Sequence, residues 1–197
     1  MAPLTRGLQL LAAAVRYALA SAGLLTPALL SCPTPCAEWD LEVLLNHVSD
    51  SAGVLHQAIT AGWAGLVPPP GDGPPGLDPV RGLYRQTTRL LATCAAAPAP
   101  RLVAIGDREL TTDMVALAGA LEITVHGWDI SVACGARRPV PPGLAGILLP
   151  LAPLLITPAT RPGLFADPVP VTAQASPGDQ LVAFLGRQPG QRIGQPG

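Results

Sequence analysis

Four segments of the chain carry apolar residues at steps of three and four, the spacing that places side chains on one face of an α-helix. They are residues 4–23, a stretch that opens at Asp40, residues 78–97 and residues 111–135. Asp40 and either Thr111 or Thr112 can cap a helix N-terminus, and Gly135 can end the last segment. The pattern predicts an all-α fold, a four-helix bundle with short to moderate connections.

The remaining segments are predicted to be less regular. They comprise a proline-rich linker at residues 68–79, a short extended segment or turn at 101–111, a proline-broken helix at 144–156, extended coil at 165–171 and a short helix at 181–185. Gly106 and Asp107 are the expected bend of the 101–111 segment. We expect residues 1–137 to form the bundle and residues 138–197 to form a C-terminal extension with short helices within the same domain.

Composition excludes several classes of function. With 197 residues, 49% of them hydrophobic, the chain can bury one sizeable core, and its net charge of −1 argues against a nucleic-acid partner. The apolar run at residues 143–157 is too short to cross a membrane and is interrupted by prolines. Four scattered cysteines are expected to be reduced thiols of a cytoplasmic protein. Cys32 and Cys36 have no second close pair to complete a thiolate zinc site.

The candidate site is a carboxylate and an imidazole on the fourth segment. Glu122 and His126 are four residues apart, so a helix places both on one face, about one turn apart. His47 lies at the edge of the apolar stripe of the second segment and can supply a third ligand. Two imidazoles and a carboxylate suit zinc and related divalent ions and leave a position for water or substrate. The spacing alone fits equally a hydrogen-bonded pair or a solvated helix face.

The residues around this site resemble a known family. Thr34-Pro-Cys-Ala-Glu-Trp-Asp40 with Leu44-Leu-Asn-His47, and Leu121-Glu122 with His126-Gly-Trp-Asp129, are similar to the paired motifs of the mycothiol-dependent maleylpyruvate isomerase N-terminal family. The tail at residues 165–187 resembles that of a short branch of the same family. The family belongs to the DinB/YfiT-like metal-binding four-helix bundles, and its metal ligands match His47, Glu122 and His126.

The resemblance implies a divalent ion, most simply zinc, with nickel or manganese as alternatives. In characterised relatives the ion holds a low-molecular-weight thiol such as mycothiol as a thiolate, which could add to a small electrophilic substrate in a transfer or isomerisation reaction. Full maleylpyruvate isomerases carry a further C-terminal domain for which this chain is too short, so maleylpyruvate is not the expected substrate. A non-catalytic metal- or small-ligand-binding bundle is the alternative, and a dimerising interaction module is a third hypothesis. Since such bundles often pair along a helix face, a homodimer is an expected assembly.

Several neighbouring residues have two interpretations. Asp129 can orient a neighbouring group through a hydrogen bond, and Trp39 is interpreted as a hydrophobic staple at the start of the second helix. Cys36 is interpreted as a buried small residue in preference to a nucleophile. His56 can be a fourth ligand or, more simply, a hydrogen-bonded bundle histidine. Asp50 can support His47 from behind or be a solvated surface acid.

The third segment carries three arginines at four-residue steps. They can line the mouth of the site and contact an anionic cofactor, or form a solvated helix face; they are Arg81, Arg85 and Arg89. Tyr84 is predicted to lie on the inner side of the same helix.

Overall fold

A computed structural model describes residues 5–36, 39–65, 78–96 and 101–191 of the chain. Within these residues the α-helices are α1 (Arg6–Ala22), α2 (Leu41–Ala61), α3 (Pro79–Ala96), α4 (Thr112–Ala133), α5 (Pro142–Leu155) and α6 (Pro177–Phe184). A 3-10 turn at Pro27–Leu29 lies between α1 and α2. Helices α1 to α4 form the bundle, so the predicted all-α, DinB/YfiT-like fold class is confirmed.

The helices that carry the candidate ligands begin at the predicted caps. The Asp40 carboxylate accepts a hydrogen bond from the Val43 N–H at 2.9 Å and starts α2. The Thr111 hydroxyl accepts one from the Met114 N–H at 3.2 Å and starts α4. Each cap satisfies one of the N–H groups that a helix leaves without an internal partner. Gly62, with φ of 81°, ends α2 in the left-handed conformation that glycine adopts without strain.

Helix α4 is the central helix of the bundle. Residues 119–133 are all buried except Glu122, which is partly exposed, so α4 is enclosed by other elements over four turns. Its closest approach is to α1, where a Cβ on Gly127 would lie 3.0 Å from the Cα of Ala18. Helix α2 packs against α4 on one side and α3 on the other. Since His47 and Glu122 lie on two helices in contact, the bundle fixes their separation.

A small sheet closes one end of the bundle. Strands β2 (Leu102–Ile105) and β3 (Arg108–Thr111) form an antiparallel hairpin, which turns at Gly106 as the sequence predicts. Strand β1 (Trp63–Ala64) pairs in parallel with β2 and was not predicted. The Arg101 guanidinium donates to the carbonyls of Ile59 and Thr60, which joins the hairpin to the end of α2.

Three local predictions are wrong. Helix α5 continues through Pro150 and Pro153, because both prolines are on its exposed side, where carbonyls without an N–H partner can meet water. Helix α6 begins at Pro177, before residue 181, because the Ser176 hydroxyl caps it by accepting from the Asp179 N–H at 3.1 Å. Tyr84 is 38% exposed and does not face the core.

The segment after Arg138 is held by packing between its own elements and against the bundle. Helix α5 packs on α6 and also contacts α1 and α4. The expected extended coil at residues 165–171 is present, and it joins the extension through a hydrogen bond from the Val169 N–H to the Ala183 carbonyl at 2.9 Å. Most of the predicted linker at residues 68–79 lies outside the described residues, which resume at residue 78. No helix in the described part of the chain is long and apolar enough to span a membrane.

Candidate metal centre

The three residues expected as ligands lie together in the structure. Glu122 and His126 are one turn apart on α4, and His47 reaches them from α2. The Oε1 atom of Glu122 is 2.6 Å from Nε2 of His47 and 3.2 Å from Nε2 of His126. One candidate ligand atom from each residue can be chosen so that all lie within 4.8 Å of one another. This separation allows one ion to contact all three.

The charges of this cluster depend on one another. Burial alone would raise the pKa of Glu122, but hydrogen bonds and charge interactions with His126 and His47 outweigh it and hold that pKa well below its usual range. Burial likewise opposes the charged form of His126, yet hydrogen bonds to Asp129 and Glu122 raise its pKa to about 9. Without an ion, therefore, a carboxylate and a protonated imidazole stabilise each other.

Asp129 orients His126 from the side away from Glu122. Its Oδ2 atom is 3.0 Å from His126 Nδ1, so the expected hydrogen bond to a neighbouring group is present. Burial would raise the pKa of Asp129, but hydrogen bonding to His126 and the charge of Arg187 lower it. With Nδ1 held by a carboxylate, Nε2 of His126 is the nitrogen available to a metal, an arrangement common behind metal-binding histidines.

Arg187 is the residue of this cluster that sequence reasoning missed. Its Nη2 and Nε atoms donate to the two oxygens of Asp129 at 2.9 and 3.2 Å, and both side chains are almost completely buried. Gly186 precedes it with φ of 80°, and a Cβ there would lie 2.7 Å from the Ala166 carbonyl oxygen. The pair joins residues 58 positions apart, and no local pattern signals it. The available signal in the sequence was that Arg187 ends the tail, residues 165–187, that resembles the family.

Trp39 covers the two imidazoles. Its ring centroid is 4.7 Å from that of His47 and 6.0 Å from that of His126, with the second pair stacked at 26°. Trp39, expected as a staple at the start of α2, therefore lies against both candidate histidine ligands, while His47 keeps 36% of its side chain exposed. Cys36, close by in the chain, is half-buried, and burial raises the pKa of its thiol. A protonated thiol fits the prediction that Cys36 is not a nucleophile.

An open cavity of about 540 Å³ begins at the exposed side of His47 and Glu122. Its other lining residues come from α2 and α4 and are Asp50, Ser51, Val54, Leu55, Ala118 and Gly119. A Cβ on Gly119 would lie 2.6 Å from the Leu55 methyl groups. The cavity therefore gives a small molecule access to the carboxylate and to one imidazole.

The sequence comparisons are consistent with this geometry. Residues 11–131 match the sequence model of the mycothiol maleylpyruvate isomerase N-terminal domain. The chain belongs to this family. It is also 33% identical over 170 residues to two proteins of Mycobacterium tuberculosis, the uncharacterized protein MT0763 of strain CDC 1551 and the uncharacterized protein Rv0738 of strain H37Rv. These alignments cover 79% of this chain and 83% of each relative. Among solved structures, none matches the chain significantly.

The predicted family membership is thus confirmed. The residues that match the family include one part of the candidate site and leave another part outside. His47, Glu122, His126 and Asp129 all lie inside the matched residues of the mycothiol maleylpyruvate isomerase N-terminal domain. Arg187 lies outside them, in the C-terminal extension.

The remaining candidates are not part of the described ligand cluster. His56 Nδ1 is 2.6 Å from the Thr93 hydroxyl on α3, which fits a hydrogen-bonded bundle histidine and not a fourth ligand. Asp50 is exposed at the cavity, and the arginines of α3 are exposed on a face outside the described cavity lining. They are Arg81, Arg85 and Arg89. Trp128 is buried in the core.

Proposed function

We propose that this member of the mycothiol maleylpyruvate isomerase N-terminal domain family binds a divalent metal ion, most simply zinc, through His47, Glu122 and His126. The observation that carries the proposal is that both Nε2 atoms face one carboxylate oxygen of Glu122, at 2.6 and 3.2 Å. Nickel and manganese are alternative ions, because imidazole and carboxylate ligands also suit them.

The protein's own groups fit such an ion chemically. Two imidazole nitrogens and a carboxylate form a three-ligand set of the type found in catalytic zinc sites, which leave a further position open. Without an ion, His126 and Glu122 share a proton, which balances the charge of the carboxylate. A bound ion would take the place of this proton. Asp129 would keep His126 in the orientation and tautomer that binding through Nε2 requires.

We further propose a thiol-dependent transferase or isomerase activity. A bound divalent ion stabilises a thiolate and so supplies a nucleophile at neutral pH, here from mycothiol or another low-molecular-weight thiol. The chain would admit the thiol and a small electrophile through the cavity beside His47 and Glu122, and Trp39 would exclude water from the opposite side. Among the described residues, Cys36 is not part of the group whose ligand atoms lie close enough together to share an ion.

The first experiment is the metal content of the purified protein, measured by elemental mass spectrometry on the wild type and on His126→Ala. About one divalent ion per chain is expected in the wild type and none in the variant. Arg85→Ala is the control, because Arg85 lies outside the described cavity lining, and we expect it to keep the ion. A wild type that stays metal-free after zinc, nickel and manganese are supplied would contradict the proposal.

A second experiment separates catalysis from binding alone. Cobalt-loaded protein is titrated with mycothiol, and a sulfur-to-cobalt charge-transfer band is expected if the thiol reaches the ion. Retained metal without such a band would favour the alternative, a non-catalytic metal- or small-ligand-binding bundle. A cytoplasmic location and a homodimer remain predictions, to be tested by fractionation and by light scattering.

A further inference from the structure

A buried ion pair connects the C-terminal extension to the candidate ligand His126. Asp129 has no exposed surface and Arg187 only 5%. Removing two charges from water is costly unless they are paired with good geometry, and here both carboxylate oxygens receive an N–H from the same guanidinium. The Asp129 Oδ2 atom that accepts from Arg187 is also the atom that contacts His126 Nδ1. Any rotation of the carboxylate would therefore disturb the imidazole.

The guanidinium itself is held by further contacts within the extension. Its Nη1 atom donates to the Leu185 carbonyl at 2.8 Å, and its central carbon lies 5.8 Å from the centre of the Phe165 ring. Gly186 gives the chain the left-handed turn that directs Arg187 inward, with no room for a Cβ beside Ala166. A planar fork held in this way matches a carboxylate in one orientation, which a lysine ammonium would not impose.

We propose that Arg187 is a positioning residue for the metal centre, acting through Asp129 on His126, and that the C-terminal extension thereby completes a site whose ligands all come from the bundle. This inference rests on the proposed function, because it concerns the affinity for the ion. It assigns a role to a residue outside the family match of residues 11–131. Partners of this kind behind a ligand typically change metal affinity by about 10- to 100-fold.

The test is a double-mutant cycle on zinc affinity, measured by competition with a chromogenic chelator. Arg187→Met and Asp129→Asn are each expected to raise the zinc Kd by about 10-fold or more. If Arg187 acts through Asp129, adding Arg187→Met to Asp129→Asn should raise it little further. Arg187→Lys keeps the positive charge and loses the paired hydrogen bonds, so an intermediate Kd is expected, and this variant replaces Arg187→Met if the latter does not fold.

Arg161→Met is the matched control. Arg161 is also a buried arginine of the extension, but its contacts are the Ala166 carbonyl at 2.7 Å and the Phe184 ring at 4.8 Å. It should lower thermal stability and leave the zinc Kd and the cobalt absorption spectrum close to those of the wild type, whereas Arg187→Met should change both. Equal effects of the two substitutions, or a wild-type Kd in Arg187→Met, would overturn the inference. A wild type without metal would instead contradict the proposed function.

The cavity carries a second, independent inference about the substrate. Its described walls contain the apolar side chains Val54, Leu55 and Ala118, and its charged groups beside the histidine are the carboxylates Asp50 and Glu122. None of its described lining residues is an arginine. A dicarboxylate entering here would find no cationic side chain in these walls and would approach Asp50 with a like charge.

We infer that the part of this cavity beside Asp50 selects neutral or cationic, partly apolar groups over dianions, because a bound ion would offset the charge of Glu122 but leave that of Asp50. This inference also rests on the proposed function. Cobalt-loaded protein is titrated with three probe thiols: cysteamine, which is cationic, 2-mercaptoethanol, which is neutral, and mercaptosuccinate, which is dianionic. Because these thiols differ in their own acidity, the decisive quantity is the change in each Kd on Asp50→Asn.

We expect Asp50→Asn to weaken cysteamine binding and strengthen mercaptosuccinate binding, each by about 2- to 5-fold at low ionic strength, with little change for 2-mercaptoethanol. Glu42→Gln, on an exposed part of α2 outside the described cavity lining, should change none of the three. Equal shifts for all three thiols, or none, would overturn the inference about charge. No charge-transfer band with any thiol would count against the proposed thiol chemistry instead.

Discussion

Trp39 brings an aromatic surface to within 5 Å of one candidate ligand and 6 Å of the other. On the opposite side of the cluster, Glu122 keeps 29% of its side chain exposed to the cavity. The two histidines thus lie between an apolar cover and a polar opening. At the residue scale the two imidazoles therefore differ: His126 is only 6% exposed, whereas His47 keeps 36% of its side chain exposed and lines the cavity.

Trp39 should also report metal binding. The protein has three tryptophans, of which Trp63 is 55% exposed on β1. Because open-shell ions quench a nearby indole, adding Co²⁺ or Cu²⁺ should reduce the fluorescence of the wild type, and Trp39→Phe should lose most of that change. Trp63→Phe should retain it. Trp128, two residues after His126 on α4, can retain part of the quenching, so an undiminished response in Trp39→Phe is the result that would place the ion elsewhere.

Buried ionisable groups predict the response of the fold to alkaline pH. Burial raises the pKa of the Cys94 and Cys134 thiols to about 11, from a usual value of 9.0, and it raises the pKa of Tyr17 as well. Between pH 9 and 11 the unfolded chain therefore releases protons that the folded chain retains. The stability that these two thiols contribute is therefore fully present below pH 9 and is lost as the pH rises through about 11.

Urea unfolding at pH 7, 9 and 10.5, followed by circular dichroism, measures this loss. The midpoint should fall as pH rises, and the Cys94→Ala, Cys134→Ala double variant should show a smaller fall than the wild type, whatever its stability at pH 7. An identical pH dependence in the two proteins would contradict the assignment to these thiols.

At the scale of elements, close contact between helices depends on two glycines of α4. Gly127 faces the backbone of α1, and Gly119 faces the Leu55 side chain of α2. A glycine inside a helix normally costs about 0.5–1 kcal/mol relative to alanine. Here the two glycines allow α4, the helix that carries Glu122 and His126, to pack closely against α1 and α2, and this packing offsets the cost.

Replacing Gly127 with Ala should therefore destabilise the protein in spite of the better helix propensity of alanine. The new Cβ would lie 3.0 Å from the Ala18 Cα, a backbone atom that cannot move aside, and overpacking of this kind costs about 1–3 kcal/mol. Gly146→Ala on α5 is the control, because a Cβ there meets nothing within 4 Å and should raise the melting temperature slightly. Calorimetry measures the melting temperatures of both variants. The argument is contradicted if both temperatures rise or both fall.

For the whole molecule, the extension after Arg138 contributes more than packing area. Its residues 161–187 form a unit in which Arg161 contacts Phe184 and Arg187 contacts Phe165. The last residue of this unit reaches into the bundle and pairs with Asp129. The position of the extension and the orientation of His126 are therefore linked through one guanidinium.

The sequence predicts much of this architecture because the information is local. Apolar periodicity and the caps Asp40 and Thr111 locate α2 and α4, and the four-residue spacing of Glu122 and His126 places them on one face. The Asp129–Arg187 pair was beyond such reasoning, since its partners are 58 residues apart and neither belongs to a periodic pattern. Pro150 was misinterpreted for a related reason, because its effect on α5 depends on which side faces solvent.

Gly186 offers a way to sort the relatives of this protein. The left-handed turn and the missing Cβ make glycine the residue required before Arg187, so a Gly-Arg pair at this distance from the His-Gly-Trp-Asp motif identifies chains able to close the ion pair. A relative with the three ligand positions but another dipeptide in the tail would hold His126 by other means. Relatives with and without the Gly-Arg pair can therefore be distinguished from the sequence of the C-terminal segment alone.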